Sequence, residues 1–420
     1  MSLRFASLVI AVASLCYTGC IAFGQPAAEP KPAAKKPDEK PADEKPADEK
    51  AKDNKTDSKS KDDKPAEKKP AADSPDDQPP VTPAEKFQAV HDRWTNADKR
   101  LNEITAKYNT VEEAERAVLK AEYTQLVGEM QKILKDLRKT AEAAYEAEPN
   151  KDPEVTRTLV GMVAYHVRRD EHEEALQIAK KMIEAKCEEP VLFALAGTAA
   201  YRMDDYDTAE KYLTTAEKAG RLDPDGKNYL DELPAQKKAW EKELAIRAKE
   251  TKADDLPRVK LETSKGTIVI ELFENEAPGA VGNFVSLVEK KFYDGLSFHR
   301  VLANFMAQGG DPSGDGTGGP GYEIYCECEK PEARMHFRGS LSMAHAGKDT
   351  GGSQFFLTFV PTTNLNGRHT VFGRVIEGMD VLAKLQRRNP QSPNPPLPDR
   401  IVKAEVVRKR DHAYKPSEVK

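Results

Sequence analysis

The apolar periodicity of this chain changes once, near Asp254, from about 3.6 residues to about 2, and no single layer of secondary structure can serve both periods. Upstream, Val118, Leu126, Met130, Ile133 and Leu137 recur at roughly helical intervals, which predicts one long helix over Thr110 to Ala147. Downstream, Val259, Leu261 and Thr263 alternate up to a Ser264-Lys265-Gly266 turn, and Thr267 to Phe273 returns as a β-rich run. That is the signature of a hairpin. The chain is therefore multidomain, an all-α region followed by a mainly-β one, and its 420 residues give room for two or three domains.

A third composition precedes both. Residues 25–82 are built from Lys, Pro, Ala, Asp and Glu, with KPADEKPADEK as a near repeat. Such a segment buries too little apolar surface to offset its ordering entropy, so it is expected to be a disordered linker with a reach on the order of 40 Å. Its mixed charges suit a solvated spacer rather than a basic membrane anchor. Before it, residues 1–24 carry Arg4, an apolar run from Leu8 to Leu15, and Ala22 and Gly24 spaced like a signal-peptide cleavage site. The chain is thus expected to be exported to the periplasm or cell envelope. Cys20 opens a second route, a lipidated and membrane-anchored mature form, but Tyr17 stands where lipoprotein signals usually place Leu, so cleavage after Gly24 is preferred. The remaining apolar segments are too short to span a bilayer.

Within the helical region, residues 83–252, a period of 34 residues emerges: Asp170, His172 and Ala175 recur as Asp204, Tyr206 and Ala209, and Ala185 recurs as Ala219. Small residues such as Ala175 and Ala209 let helices approach closely, and two helix pairs over about 156–221 resemble tetratricopeptide repeats. The first repeat lacks the usual Trp, Gly and Tyr set, and an ordinary helical bundle fits nearly as well. If the repeats are real, they offer a face for a protein partner, with the flanking helices as caps.

In the β-rich region, Pro278 opens a helix whose stripe is Val281, Phe284, Val285 and Val288. The short strands that follow, between Gly- and Pro-rich turns, indicate a closed antiparallel sheet. Four blocks stand out here: FHRVLANFMAQGGD (298–311), SMAHAG (342–347), GGSQFF (351–356) and NLNGRHTVFGRV (364–375). In this order, over 257–411, they resemble the cyclophilin family of peptidyl-prolyl cis-trans isomerases. The resemblance implies an eight-stranded antiparallel barrel capped by helices, with 412–420 left as a flexible tail, and an enzyme that needs no cofactor and no metal.

The chemistry implied is rotation about an X-Pro amide, whose barrier is about 20 kcal/mol because the nitrogen lone pair is delocalised into the carbonyl. No bond need break; the twisted amide must be stabilised and its pyramidal nitrogen given a donor. The resemblance assigns that donor to Arg300, with Phe305 beside it and Gln308 to orient Arg300 and the substrate carbonyl. It assigns the proline pocket to Phe305, Met306, Phe356, Leu365 and His369, and peptide alignment to the backbone at Ala344, His345 and Ala346, with Gln354 nearby. Asn364 replaces the Trp that many cyclophilins have, which implies weak cyclosporin affinity, and His345 replaces the common Asn, which implies altered substrate preference. Taken singly, Arg300 would be a surface ion pair and the apolar residues core; their joint order gives them a role. His299 reads as a structural histidine.

Other signals exclude more than they suggest. A net charge of -5 and a pI near 6.0 give no basic footprint for nucleic acid. Cys187, Cys326 and Cys328, the thiols left after cleavage, are too few for a disulfide framework; Cys326 and Cys328 suit a peripheral loop better than a metal or a strained bridge. GDGTGGPG (314–321) lacks the Lys and helix of a phosphate loop, and Ser353 lacks the nucleophile-elbow pattern. Two functions from different classes remain: an isomerase acting on proline-containing protein or peptide segments during folding, or a non-catalytic module that holds such segments beside a helical scaffold.

Overall fold

The computed structural model describes residues 82–108 and 110–419. The expected signal peptide, the Cys20 anchor and nearly all of the linker lie outside them. Seven helices come first among the described residues: α1 (Pro83–Tyr108), α2 (Glu113–Ala147), α3 (Pro153–Arg168), α4 (His172–Glu184), α5 (Pro190–Arg202), α6 (Tyr206–Lys218) and α7 (Pro224–Ala253). Their starts are written in local chemistry. Thr82 and Glu85 form a reciprocal capping box ahead of α1, with Thr82 N–H on Glu85 Oε2 at 2.8 Å and Glu85 N–H on Thr82 Oγ1 at 3.2 Å. Asp152 and Asp223 cap α3 and α7, each just before a proline at the first helical position.

The long helix α2 buries Tyr123, Met130, Ile133 and Leu137 on one stripe. Val118, expected on it, is instead 65% exposed; the stripe begins one residue later at Leu119. A hundred-degree step per residue makes that difference, and a run of alternatives at 118–119 does not reveal which side chain faces inward.

The 34-residue period has a backbone counterpart. Asp170 (φ 62°) and Asp204 (φ 62°) close the first helices of the two pairs, and Lys186 (φ 64°) and Gly220 (φ 65°) close the second, each in the left-handed region. The pairs α3–α4 and α5–α6 thus turn the same way at equivalent positions. Ala175 and Ala209 are fully buried, and at Gly197 a Cβ would meet Leu213 at 2.6 Å, so α5 and α6 pack closer than any side chain there would permit.

After Asp254 come β1 (Arg258–Thr263), β2 (Gly266–Leu272), α8 (Pro278–Glu289), β3 (Arg300–Leu302), β4 (Met306–Gly309), β5 (Ser340–Met343), β6 (Phe355–Thr358), a 3-10 turn (Thr363–Leu365), β7 (Val371–Glu377), α9 (Met379–Ala383) and β8 (Ile401–Arg408). The eight strands form one antiparallel sheet in the order β3-β4-β6-β5-β7-β2-β1-β8. This is the expected eight-stranded antiparallel architecture, curled so that its two ends meet. They meet through an isolated bridge, Ser297 to Arg400, and through Phe298 N–H on Asp399 O, rather than through a regular ladder. The predicted α8 stripe, Val281, Phe284, Val285 and Val288, is buried throughout in the core that the sheet encloses.

Residues 412–419, of the 412–420 expected as a flexible tail, run back over α8. Lys415 O lies 2.5 Å from where a Cβ on Gly282 would stand, Tyr414 is buried, and Val419 N–H donates to Glu323 O at 2.8 Å.

The helical and β regions belong to one compact unit. Phe337, on the loop between β4 and β5, enters the helical core and packs its ring against Trp240 at 4.8 Å. Nearby, Arg334 is buried between Glu243 and Glu250 of α7 and stacks over Phe273 at 3.8 Å; Glu250 also takes Arg374 of β7. No helix among the described residues is long and apolar enough to cross a membrane.

Candidate active site

Strand register builds the site. Arg300 on β3 stands directly opposite Gln308 on β4, Gln308 opposite Phe356 on β6, and Phe356 opposite Ser342 on β5. Cross-strand partners share a face, so these residues form one row across four neighbouring strands. Met306, two residues before Gln308, joins the same face, while Phe355, next to Phe356, points into the core. Phe305 sits in the three-residue turn between β3 and β4, its carbonyl held by Phe359 N–H at 2.9 Å.

Arg300, Gln308 and Phe356 of this row floor a cavity of about 770 Å³. Eleven of the twelve residues expected at the site line it: Arg300, Phe305, Met306, Gln308, Ala344, His345, Ala346, Gln354, Phe356, Leu365 and His369. Asn364 does not. It lies exposed in the 3-10 turn, whose next residue, Leu365, supplies the lining.

Arg300 is the polar group of the floor. Its guanidinium lies 5.8 Å from the centre of the Phe305 ring, and among the described residues no carboxylate or carbonyl takes its donors. Partial burial lowers its pKa from the usual value without threatening its proton. Gln308 was expected to orient Arg300; instead its amide donates to Gln354 Oε1 at 2.9 Å. Gln354 in turn donates to Gly316 O at 3.0 Å and Gly318 O at 2.9 Å. The two glutamines therefore tie the floor to the glycine-rich rim.

That rim is what sequence reading missed. Gly316 to Glu323 form one wall of the cavity, and the loop is shaped by buried Asp311, whose carboxylate accepts the amides of Ser313, Asp315 and Gly316. The density of glycines between two strands was the available signal: chain that must bend round a cleft needs residues free of Cβ.

The opposite wall is aromatic. His369 hydrogen-bonds Met343 O through Nδ1 at 3.0 Å and meets Phe356 edge-on at 5.5 Å, while His345 stacks on His369 at 4.1 Å. Burial lowers the His369 pKa, which favours a neutral ring and an apolar wall. Beneath Phe356, and also unforeseen, His336 lies parallel to its ring at 5.9 Å, bonded to Asn366 Oδ1 at 2.9 Å and Ser342 Oγ at 3.0 Å. Burial drives its pKa down to about 4. His299 is buried, with Nδ1 unpartnered. Cys326 and Cys328 are free thiols, and Cys326 Sγ accepts Asp349 N–H at 3.2 Å.

An open cleft with an apolar slot, one uncommitted cation and flanking backbone suits an extended peptide with one ring-shaped residue. Comparison with known proteins agrees. Residues 258–406 match the family model described as cyclophilin type peptidyl-prolyl cis-trans isomerase/CLD. A peptidyl-prolyl cis-trans isomerase of Helicobacter pylori is 52% identical over 147 residues, covering 34% of this chain and 90% of the relative. Peptidyl-prolyl cis-trans isomerase B of Bacillus subtilis is 58% identical over 113 residues, 27% of this chain and 78% of the relative. Among solved structures, a Cryptosporidium parvum cyclophilin crystallised in the presence of the dipeptide Ala-Pro is 34% identical, covers 36% of this chain and 98% of its own, and has a TM-score of 0.33.

Proposed function

Because the chain belongs to the cyclophilin-type peptidyl-prolyl cis-trans isomerases, we propose that it accelerates X-Pro isomerisation by holding the proline against Phe305, Met306, Phe356, Leu365 and His369 while Arg300 donates to the twisted amide nitrogen. The observation that carries this reading is the half-buried Arg300 guanidinium, with no acceptor among the described residues, in the same row as Gln308 and Phe356. One charge-assisted hydrogen bond is worth roughly 1.5–3 kcal/mol, whereas a ~10⁵-fold acceleration needs about 7 kcal/mol. The rest comes from the apolar slot, which strips the amide of the water that favours its charge-separated planar form. Backbone at Ala344, His345 and Ala346 aligns the peptide as an extended strand.

The substrates are proline-containing segments of other proteins, and the amino-terminal 24 residues favour clients in the periplasm or cell envelope, where the protein assists folding. The two 34-residue helix pairs support a tetratricopeptide-like scaffold beside the site. The test is isomerisation of a short proline peptide by wild type and Arg300→Ala. A loss of about 100-fold in kcat/KM is expected, with thermal stability nearly unchanged. Equal rates remove the catalytic reading and leave a binding module.

A further inference from the structure

The two repeat-equivalent aspartates do the same thing to the isomerase domain. Asp170 Oδ1 accepts the backbone N–H of Asn304 at 2.9 Å, and Asp204 Oδ2 accepts the backbone N–H of Arg338 at 3.2 Å. Both carboxylates are buried, both residues adopt positive φ, and the turn that each closes faces a loop of the sheet. The repeat ends are thus occupied from within the chain.

The Asp170 contact differs from the other in what stands next to it. Asn304 precedes Phe305, the aromatic wall of the proline slot, and its side-chain Oδ1 takes Arg202 Nη1 of α5 at 2.5 Å. Asp170 Oδ2 takes Arg387 Nη2 at 2.7 Å; Arg387 lies over the Phe359 ring at 4.3 Å; and Phe359 N–H holds the Phe305 carbonyl at 2.9 Å. These links close a circuit, from Asp170 through Asn304 and Phe305 to Phe359, Arg387 and back. Phe305 is fixed on both flanks, and on the Asn304 side the bonds added to the β3–β4 ladder come from the helical region. Ala303 and Asn304 are exposed, so packing adds little to hold the turn.

We propose that Asp170 and Arg202 are positioning residues for the isomerase site, holding the wall of the proline slot at Phe305 through Asn304. The helical region then serves its own catalytic domain, a role distinct from recruiting a partner. This rests on reading the Arg300–Phe305 cleft as the isomerase site. An error of about 1 Å in a group that shapes a reacting centre costs up to about 100-fold in rate, so loss of one anchor is expected to register in substrate capture.

The test uses the full chain and a short peptide with one Ala-Pro bond, with KM and kcat measured separately. Asp170→Ala and Arg202→Met are expected to lower kcat/KM about tenfold, chiefly through KM, and to speed hydrogen exchange at the Asn304 amide. Asp170→Asn, whose amide oxygen still accepts that N–H, is expected to restore most of the activity. Glu173→Gln, which breaks the bidentate Arg338 pair elsewhere in the same interface, is expected to stay within about twofold of wild type. Wild-type KM in Asp170→Ala and Arg202→Met, or an equal loss in Glu173→Gln, overturns the positioning role. Should Asp170→Ala not fold, Asn304→Gly carries the test, because glycine accepts the φ of 57° and removes only the Arg202 contact; a rise in KM supports the proposal and an unchanged KM overturns it. An Arg300→Ala variant run alongside separates the two failures: inactive Arg300→Ala with unchanged Asp170→Ala removes the positioning alone, whereas active Arg300→Ala removes the site itself.

Discussion

The helical region and the sheet bury polar groups for opposite reasons. In the sheet region, half-buried Gln308 and buried His336 and Ser342 lie along or under the cleft and shape it. In the helical region, the buried acids Asp170, Asp204, Glu243 and Glu250 each bond across to a residue of the sheet region. The first set is interior by design of a site. The second makes the two regions one body, because a charge removed from water demands its partner.

That contrast breaks most severely at Arg334. Arg334→Met takes one of two cations from each of Glu243 and Glu250, leaving them Arg247 and Arg374 respectively, and a loss of about 3 kcal/mol is expected in urea unfolding. A loss below about 1 kcal/mol would mean that the regions hold together by packing, with Phe337 as the main anchor.

Acid sharpens the comparison, because buried Asp204 of the helical region and buried His336 of the sheet region titrate far from their usual ranges in opposite senses. Burial raises Asp204 to about 7, so between pH 3.8 and 7 the folded chain keeps a proton that the unfolded chain has released. Its contribution to stability is full below 3.8 and lost as pH rises through 7. Burial lowers His336 to about 4 from 6.5, so in that interval the unfolded chain binds a proton that the folded chain refuses. Its contribution is full above 6.5 and lost as pH falls towards 4. Asp204 is worth about 4 kcal/mol and His336 about 3 kcal/mol across their windows, and they largely offset. Urea unfolding at about pH 4.5 and about pH 7.5 should show Asp204→Asn losing stability in acid relative to wild type, and His336→Gln gaining it. Parallel shifts in both variants would sink this pairing.

The smallest effect is expected at Val118, which helical spacing puts in the core and the fold puts in water. Val118→Ser should change stability by about 0.5 kcal/mol or less in thermal unfolding. A cost above about 1 kcal/mol would restore it to the α2 stripe.

Much of the sheet was legible because its signals are local. The β1–β2 hairpin, the α8 stripe and the four motif blocks each sit within a few residues, and strand register then brings the blocks into one row. The helical region was legible as helices and as a period, yet its purpose was not. Periodicity tells which face is buried and says nothing about what covers it. Arg334 is 91 residues from Glu243, and Asn304 is 134 from Asp170, so nothing in either neighbourhood announces the other. Asn364 failed differently: motif position put it at the cleft, but the tight 3-10 turn directs adjacent residues apart, and Leu365 took the place. Gln308 likewise found Gln354 before Arg300.

The route of the last residues has a practical side. Because Val419 is bonded to Glu323, which borders the cavity, any purification handle or fluorescent reporter fused at the carboxyl end would emerge at the mouth through which clients must enter. Cargo attached there would compete for the doorway.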